Sequence, residues 1–287
     1  MTMSAITRFA PSPTGYLHLG HAYAALFAAN AAQKDGGRFL LRIEDIDQGR
    51  CRPEFETAIF EDLAWLGLDW EHPVRRQSDH LPEYQDALSR LTDAGLTYPC
   101  FCTRKDIETE IKAAGGAPHG PDGPIYPGIC RHLDENERKD RIAAGEAYAV
   151  RLDMAIAMRA AGPLTWTDLD AGTIDAAPAR FGDVVLARKD TPTSYHLSVT
   201  LDDHIQGVSL VTRGRDLFEA TDVHRLLQAL LGLDIPHYHH HALLQGEDGK
   251  RFAKRDSSLT IASLRENGAT PDDVRAMIRR YLPDGAH

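Results

Sequence analysis

The chain has 287 residues, 43% hydrophobic and 26% charged, with a formal charge of −10. That composition suits one large or two modest folded domains and argues against a passive polyanion binder, although a local basic groove could still hold RNA. The start, "MTMSAITRFAP", lacks the segments of a secretory signal, and no apolar run reaches membrane-spanning length, so a cytoplasmic location and no membrane contact are expected.

In chain order, "AITRFA" predicts a strand, the Ala-rich stretch from His21 to about Gln33 a helix, and "RFLLRIE" a second strand. "PEFETAIFEDLAWLGL" predicts a helix opened by Pro53, with Phe55, Ile59, Leu63 and Leu66 on one face. A helix over Leu81 to Leu91 and a strand in "LTYPCF" follow, so residues 1–99 are expected to wind β-α-β-α-α-β on a parallel sheet as the first half of a nucleotide-binding α/β domain. From Cys100 the pattern changes to a Gly/Pro-rich loop, a charged helix in "DENERKDRIAAG" and short strands in "AYAVRLD" and "LTWTDLD". The block 100–190 therefore reads as an insertion. Residues 191–256 return to helix, strand and helix and are expected to complete the same sheet; residues 257–287 predict two short helices, the second opened by Thr270-Pro271.

Placed on this frame, "PSPTGYLHLG" is the turn at the carboxyl end of the first strand, where open α/β sheets bind ligands. The helix N-terminus that follows favours anions, and His18 and His21 flank it as donors to phosphate oxygens, with Gly20 letting a flat base approach the backbone. Neither a G-x-G-x-x-G nor a Walker loop is present.

The stretch "TRFAPSPTGYLHLGH" followed by "LLRIEDID", then "SYHLSVTLDDHIQGVSLVTRGRDL" and "IPHYHHHALLQGEDGKRFAKRD", resembles the class I aminoacyl-tRNA synthetases, the glutamyl group in particular, over roughly residues 5 to 260. The resemblance implies that Arg8, Ala10, Ser12, Glu44, Tyr195 and Arg213 bind glutamate. The arginines suit carboxylates, Glu44 matches the position that accepts the substrate ammonium, and Ala10 leaves room beside them. It implies an ATP site of His18, Gly20, His21 and Lys254, with Mg²⁺ accompanying ATP. Lys254 is the second lysine of the mobile lysine loop, in which Arg251 and Ala253 here replace the usual first lysine and serine. In "HYHHH" successive residues of a strand point to opposite faces, so His240 is expected to line the nucleotide site and the other histidines to face solvent.

Of the four cysteines, Cys51 stands alone and reads as a buried or neutral thiol, while Cys100, Cys102 and Cys130 fit a structural zinc site with one corner of the tetrahedron open. Zinc chemistry alone favours His132 as the fourth ligand; the resemblance implies Tyr126, four residues before the last cysteine, with His119 a weaker rival. The stretch after Arg255 is expected to be too short for an anticodon-reading domain. A glutamate-activating core of that kind resembles the glutamyl-queuosine tRNA(Asp) synthetases, which implies transfer of glutamate to queuosine in the anticodon loop of tRNA(Asp) by a monomer. The alternatives are a truncated glutamyl-tRNA synthetase that charges the 3′ end, and an inactive nucleotide- or tRNA-binding paralogue.

Overall fold

The computed structural model describes residues 4–34, 36–113, 119–121, 123–245 and 260–283. In chain order its elements are β1 (Ile6–Phe9), α1 (Leu19–Lys34), β2 (Arg38–Ile43), α2 (Pro53–Trp65), β3 (Glu71–Arg76), α3 (Leu81–Asp93), β4 (Thr97–Cys100) and α4 (Arg104–Ala113). Then come β5 (His119–Gly120), β6 (Gly123–Pro124), α5 (Glu135–Ala143), β7 (Ala149–Leu152), α6 (Met154–Ala161), β8 (Thr165–Asp168), β9 (Gly172–Asp175) and β10 (Val185–Ala187). The last are α7 (Tyr195–Ile205), β11 (Leu210–Gly214), α8 (Thr221–Leu231), β12 (His237–His241), α9 (Ile261–Glu266) and α10 (Pro271–Tyr281).

Two parallel sheets form the body. One runs β1-β2-β3; the other runs β11-β12-β8, with β9 added antiparallel at its edge. They meet where β1 lies beside β11, tied by Ser209 N–H to the Ile6 carbonyl at 3.0 Å and Ile6 N–H to the Ser209 hydroxyl at 2.9 Å. Strand β2 reads as an almost unbroken apolar run because helices cover both sheet faces, and Phe39, Leu40, Leu41 and Ile43 are buried. The Ala-rich face of α1 (Ala22, Ala25, Ala28, Ala29, Ala32) lets that helix lie close to the sheet, where the Thr7 hydroxyl donates to the Ala28 carbonyl at 2.8 Å. Helices α9 and α10 pack Ile261, Val274 and Ile278 into the same core. Helix α10 opens with the capping box of Thr270 and Asp273, as the Thr-Pro start suggests.

The expected winding of the first half needs correcting at two places. "EHPVRR" forms β3, a parallel strand whose charge and proline hide it in the sequence, and β4 leaves the parallel sheet to pair antiparallel with β7 in a separate sheet, β10-β7-β4. Strands β8 and β9, which lie inside the block 100–190, join β12. Besides the expected charged helix α5, helices α4 and α6 form within that block at positions where the pattern predicts none. Among the described residues no helix is long and apolar enough to cross a membrane.

Candidate active site

The carboxyl ends of β1, β2, β11 and β12 and the start of α1 build one cleft. In "PSPTGYLHLG" the backbone turns from β1 into α1, and the Glu44 N–H donates to the Pro11 carbonyl at 2.9 Å, which ties this loop to the end of β2. The rings of His18 and His21 stack with centroids 3.8 Å apart. Each Nδ1 accepts from backbone: His18 Nδ1 from Gly20 N–H at 3.1 Å, His21 Nδ1 from His18 N–H at 3.2 Å. In the neutral rings the proton therefore sits on Nε2, which makes both Nε2 atoms donors at a helix N-terminus. A Cβ at Gly20 would press on the His18 ring at 3.0 Å, so this glycine keeps the His18 cap in place.

Beneath the loop lies a buried charge cluster. Arg8 Nε donates to Asp203 Oδ1 at 2.9 Å and its Nη1 to the Thr212 carbonyl at 3.0 Å. Arg42 reaches Asp203 Oδ1 at 2.8 Å and Glu44 Oε1 at 3.2 Å. Asp202 accepts from Arg75 Nε at 2.8 Å, Gln77 Nε2 at 2.8 Å and the Tyr84 hydroxyl at 2.9 Å. Burial presses the Asp203 carboxyl up, but Arg8 and Arg42 outweigh it and hold the group below the usual carboxylate range. Burial wins at Glu44, whose carboxyl is raised despite Arg42 and Arg8.

Arg213 is held differently. Its Nε donates to His240 Nε2 at 3.1 Å, its Nη1 to His224 Nδ1 at 3.0 Å and its Nη2 to the Thr221 hydroxyl at 2.6 Å. All three acceptors are neutral, and among the described residues no carboxylate stands within ion-pair distance of this buried guanidinium. Tyr195 opens α7 and senses the charges of Arg213, Glu44, Arg8 and Asp203; burial raises its hydroxyl pKa. Arg8, Glu44, Tyr195 and Arg213 thus converge, with Ala10 half-buried and Ser12 exposed. The Cys51 thiol is pushed up by burial and by Asp45, in keeping with a neutral thiol.

Two of the histidines do not sit as expected. His240 is buried between Arg213 and Asp168, and His241, expected to face solvent, is buried against Tyr23 and Phe27 at ring-centroid distances of 4.7 and 5.1 Å. Alternation fails as a guide here because both faces of a parallel sheet are covered. Arg251, Ala253 and Lys254 lie outside the described residues. Thr260 bridges to His18, while Ile261 N–H donates to the Leu17 carbonyl at 2.8 Å.

At the far end of β4, Cys100, Cys102 and Cys130 bring their sulfurs within 4.8 Å of one another. The Tyr126 hydroxyl joins them at 3.4 Å from Cys100 Sγ and 3.5 Å from Cys102 Sγ, and also accepts from Cys130 N–H at 2.9 Å. Zinc with bonds of about 2.3 Å to sulfur sets sulfurs about 3.8 Å apart, so three thiols and a phenol gathered this closely suit that ion. His132 and His119 are exposed. Burial raises the Cys102 thiol to about 12, whereas at Cys100 the effect of burial is outweighed by hydrogen bonds from Tyr126 and Arg151, which lower it.

Residues 4–283 match the family described as tRNA synthetases class I (E and Q), catalytic domain. The chain belongs to that family. It is 52% identical over 280 residues to the Glutamyl-Q tRNA(Asp) synthetase of Rhodobacter capsulatus, covering 95% of this chain and 99% of the relative, which groups this synthetase with that shorter branch. It is 37% identical to the Glutamate--tRNA ligase of Aquifex aeolicus, across 93% of this chain and 54% of the ligase. The structure superposes on the glutamate-tRNA synthetase of Elizabethkingia anophelis with a TM-score of 0.81 at 27% identity, covering 96% of this chain and 61% of that one. The synthetase thus spans little more than half the length of these two longer relatives and nearly all of the first.

Sequence reading passed over Arg42, Asp202 and Asp203. The signal was present: an arginine between Leu41 and Ile43 in a buried strand, and two adjacent acids in the apolar helix "YHLSVTLDDHI".

Proposed function

We propose that this synthetase activates L-glutamate with ATP and transfers it to the queuosine base in the anticodon of tRNA(Asp). The observation that carries the glutamate reading is Arg213, a buried cation held by three neutral acceptors and lacking a described carboxylate partner. A carboxylate of the substrate supplies the missing charge. Arg8, oriented by Asp203, faces the same space, and Glu44 receives the substrate ammonium, which offsets the cost of its burial.

In the first step an α-carboxylate oxygen attacks the α-phosphorus of ATP, the bond to pyrophosphate breaks, and glutamyl-adenylate forms. His18 and His21 offer Nε2–H donors to the phosphate oxygens, and Lys254 and the Mg²⁺ that accompanies ATP spread the developing charge. In the second step a hydroxyl of the queuosine cyclopentenediol attacks the mixed anhydride and AMP leaves. The queuosine acceptor is supported by the name of the relative that matches over nearly its whole length. Cys100, Cys102, Cys130 and Tyr126 would hold a structural zinc ion, whose bonds would tie β4 to the loop before α5.

Glutamate-dependent ATP–pyrophosphate exchange in the absence of tRNA tests the activation step. Exchange is expected with glutamate and not with glutamine, because an uncharged amide leaves Arg213 without a counter-charge. Exchange that appears only on adding tRNA, or equally with glutamine, contradicts this reading; no exchange under any condition favours the inactive paralogue.

A further inference from the structure

Arg213, His240 and Asp168 form a buried chain of hydrogen bonds. Asp168, at the end of β8, accepts from four N–H groups: Asp170 and Ala171 backbone N–H on Oδ1, both at 3.0 Å, and on Oδ2 the His240 backbone N–H at 3.1 Å and the His240 ring Nδ1 at 2.8 Å. Four such donors favour the ionised form, and an ionised carboxylate is an acceptor only. A guanidinium is a donor only. With Asp168 on one side of the ring and Arg213 Nε on the other, His240 satisfies both in one state alone, the neutral ring with its proton on Nδ1 and a lone pair on Nε2. The ring is packed among aromatics: Trp166 and Phe218 meet it edge-on at 5.9 and 4.9 Å, and Tyr238 lies parallel to it at 5.9 Å.

We infer that Asp168 is a positioning residue for substrate recognition: by fixing the tautomer of His240 it gives Arg213 Nε its acceptor and so aims the remaining guanidinium donors into the cleft. The inference rests on the glutamate reading. A carboxylate on β8, inside the stretch read as an insertion, thereby governs a binding group on β11 through β12.

The test joins a spectroscopic signature to kinetics. Imidazole ¹⁵N shifts of the wild-type protein at neutral pH are expected to show His240 protonated at Nδ1. Asp168→Asn, whose amide cannot present oxygens to both the turn and the ring, is expected to move that proton to Nε2 in part or in full. It should also raise the glutamate KM about tenfold, as for a misaligned charge-assisted contact, while the KM for ATP and kcat stay within about twofold. A purely structural role would not split the two KM values. Should Asp168→Asn fail to fold, His240→Phe keeps a ring in the aromatic cage and is expected to show the same loss of glutamate affinity. An Nδ1-unprotonated His240 in wild type, or an unchanged glutamate KM in the variants beside normal wild-type exchange, overturns the inference alone. A wild type with no glutamate-dependent exchange overturns the substrate reading and the inference together.

Discussion

Arg8 and Arg213 are both buried arginines of the same cleft, and their partners set them apart: Arg8 has Asp203, whereas among the described residues Arg213 has histidines and a threonine. A buried pair that loses one member leaves an uncompensated charge, which costs roughly 3–5 kcal/mol, whereas removing a cation that was never compensated relieves a desolvation penalty. Asp203→Asn is therefore expected to lower stability by about 3 kcal/mol in urea unfolding, since Arg8 loses its carboxylate and Arg42 is left with Glu44 and Asp202. Arg213→Met is expected to melt at or above the wild-type temperature, while glutamate-dependent exchange falls on the order of 10²-fold. Equal destabilisation by the two changes would show that Arg213 has an anionic partner already. Arg8, Glu44, Tyr195 and Arg213 were legible because ordered motifs carry them. Asp203 was not, because its partners Arg8 and Arg42 stand 195 and 161 residues away and a chain read locally cannot pair them.

Among the elements, the β1–α1 unit was legible for physical reasons: an apolar strand, a turn rich in proline and glycine, then an Ala-rich helix. The path of β4 was not, since a four-residue strand carries the same pattern in a parallel or an antiparallel ladder, and its choice of β7 over the parallel sheet is made by tertiary packing. The same holds for β8, whose pairing with β12 is read only from the register. Where β2 begins, Gly37 has no room for a side chain: a Cβ there would lie 1.9 Å from the Ala5 carbonyl oxygen. Gly37→Ala is expected to cost about 3 kcal/mol by separating β2 from the chain before β1, while Gly15→Ala, with nothing within 4 Å, should stay near wild type in the same thermal melts. For the cysteine knob, elemental analysis of purified protein is expected to give about one zinc per chain, and Cys102→Ser should lose it together with the local fold of β4 and the loop after Tyr126. Tyr126→Phe isolates the fourth position, since it removes the phenolic oxygen and leaves all three thiols. A metal-free preparation with full activity would contradict the zinc assignment.

At the scale of the whole molecule, two buried histidines tie stability to pH. Burial, with the charge of Arg213, lowers His240 to about 4 and drives His224 well below its ordinary value. At these two rings the unfolded chain therefore binds more protons than the folded one between about pH 6.5 and 4, so their share of the stability is full above that window and is lost as pH drops through it. His240 alone accounts for a loss of about 3 kcal/mol, which Asp62, raised by burial to about 6, opposes in the same window; urea unfolding of wild type and His240→Phe at pH 7 and pH 4.5 isolates it, and the same pH dependence in both proteins would contradict the neutral assignment of the His240 ring. The C-terminal helices are tied to the same cleft, since Thr260 bridges to His18 and Ile261 N–H donates to the Leu17 carbonyl. What this cleft accepts in the second step is the central claim, and the acceptor itself tests it most directly. Labelled glutamate should attach to tRNA(Asp) that carries queuosine and lacks its 3′ terminal adenosine, and should not attach to the same tRNA with guanine at that anticodon position. Labelling that disappears with the terminal adenosine, together with charging of tRNA(Glu), would contradict it.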